Sequence, residues 1–225
     1  MSRNVLVVAA HPDDEALGCG GTMARHASDG DNVHVVFLTN GVSARNPDTP
    51  DRDAEDHRHH AAEAALKTLG VRSSVYGDFP DNQLDTVALL RVAQFIEKVA
   101  QDIRPEIVYT HHAGDLNVDH RICHEAVLTA FRPAPGQTVK AIYAFEVCSS
   151  TEWRFSSQSV FFPTRYCDIT GHLDTKQKAL EEYAEEMRAF PHMRSAEVIA
   201  ALARFRGATV GVEAAEAFTV IREVC

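Results

Sequence analysis

Short apolar runs alternate with longer amphipathic stretches along the first two-thirds of the chain. Residues 5–10, VLVVAA, are unbroken apolar, as expected of a strand covered on both faces. A helix is predicted over about 14–27 and a second buried strand over 33–38. A further helix follows over about 53–69, stopped by Gly70. Residues 74–76 form a short third strand. Residues 87–103 are amphipathic, with Leu90, Ala93, Phe95, Ile96 and Val99 on one face and Pro105 ending the run. A fourth strand is predicted over 106–111, a helix over about 119–131 and a fifth strand over 141–147. Strand alternating with helix implies an α/β fold, with a mostly parallel sheet covered by helices on both faces. Beyond Cys148 the rhythm changes. Residues 159–162 read as a strand, 173–190 and 195–206 as helices, and 217–224 as a last strand. No linker, repeat or low-complexity tract interrupts the chain. One domain over 1–225 is expected, with a core over about 1–147 and a C-terminal extension over about 148–225.

Composition narrows the partners. The chain has 225 residues, 45% hydrophobic and 24% charged, the balance of a globular domain rather than a disordered or fibrous chain. Asp and Glu total 32 against 22 Lys and Arg, a formal net charge of −10. Such a chain is a poor general ligand for nucleic acid or an anionic membrane, both of which need positive surface. The five cysteines are scattered and never spaced as CxxC, so no disulfide framework is expected. The N-terminal apolar run is too short for a membrane span and lacks a cleavage-type signal, so the expected location is the cytoplasm.

The chemistry concentrates where this kind of sheet places it. In a doubly wound sheet, ligands bind beyond the carboxyl ends of the strands, where the strand order reverses. With the order 3-2-1-4-5, that point lies between the first and fourth strands. The segments past those strands are AHPDDE, residues 10–15, and HHAGDLNVDH, residues 111–120. His and Asp together suit zinc or another divalent metal, and a catalytic zinc takes three protein ligands and keeps one position open. His11, Asp14 and His120 supply one such set. Asp13 and Asp14 are neighbours and can point in different directions, so that one can bind metal while the other faces the water as a general base. Each piece also has an ordinary reading. Asp13 or Asp14 could cap the helix, His120 could be a solvated or core histidine, and Asp119 could be a first-turn acid. The crowding of three acids and a histidine around Pro12 favours a cation.

AHPDDEALGCGG resembles the signature of the PIG-L (LmbE-like) family of zinc-dependent N-deacetylases, and Asp119-His120 is similar to that family's second motif. The resemblance continues through FPDNQLD, YTHHAGDLNVDHR, FEVCSSTEW, PHMRS and AEAF, which look like the bacterial branch associated with cell-surface polysaccharide and lipopolysaccharide sugars. It implies a Rossmann-like three-layer sandwich, His11, Asp14 and His120 as ligands of Zn2+, and Asp13 as general base. Many family members read HPDH where this chain reads Asn117-Val118-Asp119-His120. Asn117 can donate a hydrogen bond to an oxyanion but cannot donate a proton at neutral pH. The acid role then falls on Asp13 after it has taken the water's proton, or on another group such as His192.

Weaker substrate-binding candidates are Arg45, Asp81, Asn82, Glu146, Trp153, His192 and Arg194, each with an ordinary turn, rim or surface reading beside it. His57, His59 and His60 read as a solvated helix face, and His111 and His112 as supports or as the lining of a sheet end. Three other functions compete. A dinucleotide site is disfavoured because the turn is HPDDE rather than GxGxxG, so a pyrophosphate would meet three carboxylates. A metal-stabilised binding or regulatory module leaves Asp13 without a role, and a two-metal phosphoesterase needs more bridging carboxylates. The expected function is metal-dependent removal of an acetyl group from an N-acetylated amino sugar or sugar conjugate. The oligomeric state is left open, a homo-oligomer included.

Overall fold

The structure is a computed structural model that describes residues 2–45, 51–157 and 160–225, apart from the side chain of Arg45. Seven strands form one sheet: β1 (Asn4–Ala9), β2 (Asn32–Phe37), β3 (Ser73–Tyr76), β4 (Ile107–His111), β5 (Ala141–Phe145), β6 (Arg165–Asp168) and β7 (Ala215–Glu223). Their order is β3-β2-β1-β4-β5-β7-β6. The first five are parallel, while β7 runs antiparallel to both β5 and β6.

The apolar run of β1 explains its central place. Val5, Val7 and Ala9 face one cluster, and Leu6 and Val8 face the other, because successive side chains of a strand point to opposite sides. The first cluster is completed by α1 (Asp14–Ser28), α2 (Arg52–Thr68) and α5 (Leu173–Glu182). The second is completed by α3 (Leu89–Ile103) and α4 (Val118–Ala130). The result is the expected three-layer sandwich. Glycines in α1 permit its close approach to the sheet: a Cβ at Gly18 would lie 2.3 Å from the Phe145 ring, and one at Gly21 would lie 2.7 Å from Ile169.

The C-terminal part extends the same sheet: the predicted helix over 195–206 and last strand over 217–224 appear as α6 (Ala196–Val210) and β7, and β6 joins them at the sheet edge. The strand expected over 159–162 is not formed at 160–162, and Ser159 lies outside the described residues. Val160 and Phe162 are exposed, so that apolar run has no sheet face to meet. The ladder to β7 instead begins at Arg165, opposite Phe218. The helix expected over 173–190 ends at Glu182, because Tyr183 and Glu186 turn inward to polar partners on other elements. Among the described residues no helix is long and apolar enough to cross a membrane.

Candidate metal centre

β1 and β4 are hydrogen-bonded neighbours, with Val5 opposite Ile107 and Val7 opposite Tyr109. The turns that follow them therefore meet. The ring centroids of His11 and His120 lie 5.3 Å apart although the residues are distant in sequence.

The β1–α1 turn is built on a backbone that side chains usually avoid. Asp13 has φ 119° and ψ −30°. Its carbonyl accepts the Leu17 N–H at 2.9 Å and starts α1, but its side chain makes no capping bond. Asp13 Oδ2 instead accepts from Arg194 Nη1 at 2.7 Å. Asp14 turns the other way. Its Oδ2 lies 3.1 Å from His11 Nδ1 and 3.2 Å from His120 Nε2, and accepts the His11 backbone N–H at 2.9 Å. Asp14 Oδ1 is buried with no hydrogen-bond partner among the described residues.

Those features fit a divalent cation. His11, Asp14 and His120 are all buried and offer ligand atoms within 4.8 Å of one another. A buried carboxylate oxygen without a donor is costly unless a cation meets it. The far nitrogens of both histidines are held by carboxylates, as metal-binding imidazoles usually are. His11 Nε2 lies 3.2 Å from Asp119 Oδ2 and 3.3 Å from Asp81 Oδ1, and His120 Nδ1 lies 3.1 Å from Asp115 Oδ1. His11, Asp81 and Asp119 form a second cluster of the same size. Its oxygens already accept from Thr39 Oγ1, the Ala44 N–H and the N–H groups of Asn82 and Leu84, so it serves to orient His11.

Burial and charge push the two neighbouring aspartates apart. Burial would raise Asp14, but His120, His111 and His11 outweigh it and hold the carboxyl well below the usual range. Burial pushes Asp13 up to about 6, with Arg194 pulling it back and Asp14 adding to the rise. Burial would lower His11, yet its bonds to Asp119 and Asp14 raise it to about 10. His120 is raised against burial to about 9 by Asp14 and Asp115. His111 is pulled well down by burial and by His120. Its Nε2 accepts the Ala10 N–H at 2.9 Å, and its ring stacks 3.9 Å from that of His120.

A polar cavity of about 180 Å³ opens beside the cluster, lined in part by His11, Asp13, Arg58, Asp81, Asn117 and Arg194. Asn117 caps α4: its Oδ1 accepts the Asp119 N–H at 2.8 Å, and its amide nitrogen donates to Asn82 Oδ1 at 3.1 Å. Arg194 also donates from Nε to Ser149 Oγ at 2.7 Å and lies 3.4 Å from Glu186. Trp153 sits nearby, 40% exposed, with its ring edge against His192, whose Nδ1 accepts the Arg194 N–H. Glu146 is elsewhere, paired through both oxygens with Arg206 in a separate crevice. The Arg45 side chain lies outside the described residues. His57, His59 and His60 are exposed along α2.

The sequence alone assigned no role to Glu15, Arg58, Asp115 or Glu186, and left Asp119 as part of the second motif or an ordinary first-turn acid. Arg58 had a signal: it falls on one stripe of α2 with Ala62, Ala65 and Leu66, all buried. It is bonded to Glu186 and donates to the Pro12 carbonyl at 2.8 Å. Asp115 had none, since its donors Ser150 and Thr151 lie 35 and 36 residues away.

The profile of the PIG-L family, described as GlcNAc-PI de-N-acetylase, matches residues 6–131. An uncharacterized deacetylase of Escherichia coli, YaiS, is 32% identical over 59% of this chain and 70% of its own length. A 4-oxalmesaconate hydratase of Pseudomonas putida is 31% identical over 80% of this chain and 72% of its own length. A probable N-acetyl-alpha-D-glucosaminyl L-malate deacetylase of Bacillus cereus is 29% identical over 68% and 71%. Among solved structures, GalB, a 4-carboxy-2-hydroxymuconate hydratase from Pseudomonas putida, superposes with a TM-score of 0.78 at 26% identity, covering 99% of this chain and 98% of its own.

Proposed function

The chain belongs to the PIG-L family of de-N-acetylases, and we propose that it removes the acetyl group of an N-acetylated amino sugar. His11, Asp14 and His120 would hold a divalent cation, zinc being the reading that fits two imidazoles and a carboxylate. The observation that carries this is the Asp14 carboxylate: Oδ2 lies between two imidazoles whose other nitrogens are already engaged, and Oδ1 is buried with no partner among the described residues. A cation bound there supplies a Lewis acid that polarises an amide carbonyl and acidifies water.

The chain's own groups do the rest. Arg194 holds Asp13 Oδ2, while Oδ1 makes no hydrogen bond among the described residues and is left for a water molecule. A carboxyl raised to about 6 can take that proton near neutral pH and return it to the leaving amine. Asn117, with its oxygen fixed by the cap, keeps one amide N–H beyond its bond to Asn82 and can donate it to the developing oxyanion. The polar cavity suits a hydroxylated sugar better than an apolar ligand.

A second reading is hydration of an unsaturated carboxylic acid, supported by the hydratase likeness that covers most of this chain in sequence and in structure. Both reactions begin with a proton leaving water and diverge afterwards. The test is a metal assay with zinc-loaded protein incubated with N-acetylglucosamine compounds, UDP-linked and glycan-linked forms included, and in parallel with 4-oxalmesaconate. Amine release is expected. Consumption of the unsaturated acid with no amine released from any sugar would replace the deacetylase reading.

A further inference from the structure

Asp13 sits in a strained conformation, and the structure shows what holds it there. The peptide plane between Pro12 and Asp13 is pinned at both ends. Arg58 donates to the Pro12 carbonyl at 2.8 Å, and the Asp13 N–H donates to Glu15 Oε2 at 3.0 Å. Glu15 is fully buried, and its other oxygen accepts the Tyr183 hydroxyl at 2.7 Å. Tyr183 is itself buried at the end of α5, a helix that packs on α1 and α2. An acid in the first turn of a helix commonly faces solvent and interacts with the helix dipole. Glu15 does not: both its oxygens are committed, one to the Asp13 backbone and one to a side chain 168 residues away.

We propose that Glu15, braced by Tyr183, is a positioning residue that fixes the Asp13 backbone so that its carboxylate faces the cavity. With the plane before Asp13 clamped and the Asp13 carbonyl held by the Leu17 N–H, rotation about the Asp13 N–Cα bond is constrained from both sides. Residues held in sparsely populated backbone regions persist only where their surroundings over-determine them. The Glu15 clamp, the Arg58 bond and the Arg194 bond to the carboxylate together do so. The inference rests on the reading of Asp13 as general base.

The test compares Glu15→Gln, Glu15→Ala, Tyr183→Phe and Asp13→Asn in the zinc-loaded full chain, measuring kcat, KM, bound zinc and Tm. Glu15→Ala is expected to lower kcat by ~10–100-fold, as loss of a supporting partner or a small misplacement does, with bound zinc unchanged and KM within about threefold. Glu15→Gln should recover most of kcat, because its amide oxygen accepts the same N–H. Tyr183→Phe should fall between the two. Unchanged kcat in folded Glu15→Ala overturns the proposal. So does a loss in which kcat, zinc and folded fraction fall together and Gln gives no recovery, since that is a purely structural role. If Glu15→Ala does not fold, unchanged kcat in Tyr183→Phe overturns it instead. Full activity in Asp13→Asn would reject the base itself, whatever the Glu15 variants do.

Discussion

The β1–α1 turn and the later segment of the chain, residues 147–157 and 183–195, contribute in opposite ways. The turn places a proposed ligand, a proposed base, a second ligand and a positioning acid within five consecutive residues. The later segment contributes none of those groups but supplies donors that hold two of them and the carboxylate behind His120. Ser150 and Thr151 donate to Asp115, which orients His120, while Arg194 holds Asp13 and Tyr183 holds Glu15. Three adjacent acids at one turn would repel one another. They coexist because each has a partner from outside the turn, with His120 on Asp14, Arg194 on Asp13 and Tyr183 on Glu15. Apart from His120, the proposed metal ligands and base are local in sequence, while several of the partners that hold them are not.

The sharpest test of that division acts on the turn itself. Asp13→Asn keeps shape and removes the proton acceptor, so kcat should fall by ~10²–10⁴ while the zinc-to-protein ratio is unchanged. Retained kcat would move the base out of the turn and break the comparison at its stronger side. Removing a support should have a smaller effect. Asp115→Ala leaves His120 in place but takes away the carboxylate on its Nδ1. Zinc affinity, measured by competition with a chelator, should weaken by ~10–100-fold. An unchanged affinity would show that the Ser150 and Thr151 contacts do not reach the metal.

The same contrast explains what the sequence made legible. The strands β1, β2, β4 and β5 could be read because each is a largely apolar run bounded by helix or turn signals, and the strand order then brought His11, Asp14 and His120 together. The strand at 165–168, RYCD, has no apolar run and is a strand only because β7 offers it a ladder, whereas the apolar stretch near 160 that looked like one has no sheet face to join. Arg194 and Trp153 stood out only as residue types. That one grips Asp13 while the other lies against His192 follows from chain crossings that no local pattern encodes. Glu15 was visible in HPDDE, but its role depends on Tyr183, which sequence reasoning placed inside a longer helix.

Titration should sharpen the comparison more gently. His11 and His120 are held at about 10 and about 9, above the ordinary histidine value of ~6.5. In metal-free protein the stability they contribute is fully present below that ordinary value and is lost as pH rises through about 9 and about 10. Glu15, pushed up to about 8 by burial, acts in the same direction, because it too binds a proton more readily folded than unfolded. The Tm of metal-free protein should therefore fall as pH climbs from neutral to 10. Zinc should flatten that slope and bind more tightly as pH rises, since binding displaces protons from the two imidazoles. A metal-free Tm that does not change with pH would remove the charged histidines from the account.

The smallest expected effect lies at the end of β5. Glu146 was a substrate-binding candidate because it ends a strand beside CSST, yet both its oxygens go to Arg206 of α6, at 2.9 and 2.8 Å. A two-pronged, partly buried arginine–carboxylate pair contributes to packing α6 on the sheet, at about 1 kcal/mol for a pair still partly in reach of water. For a chain of this size that corresponds to a Tm loss of about 2–4 °C in Glu146→Gln. Because Glu146 does not line the cavity beside Asp13, kcat and KM should stay within about twofold of the parent protein, a change too small to mean a lost transition-state contact. A tenfold fall in kcat/KM with Tm unchanged would mean the opposite. Substrate would then reach into the Arg206 crevice, and residues well beyond the turn would contact it directly instead of only holding the groups that do.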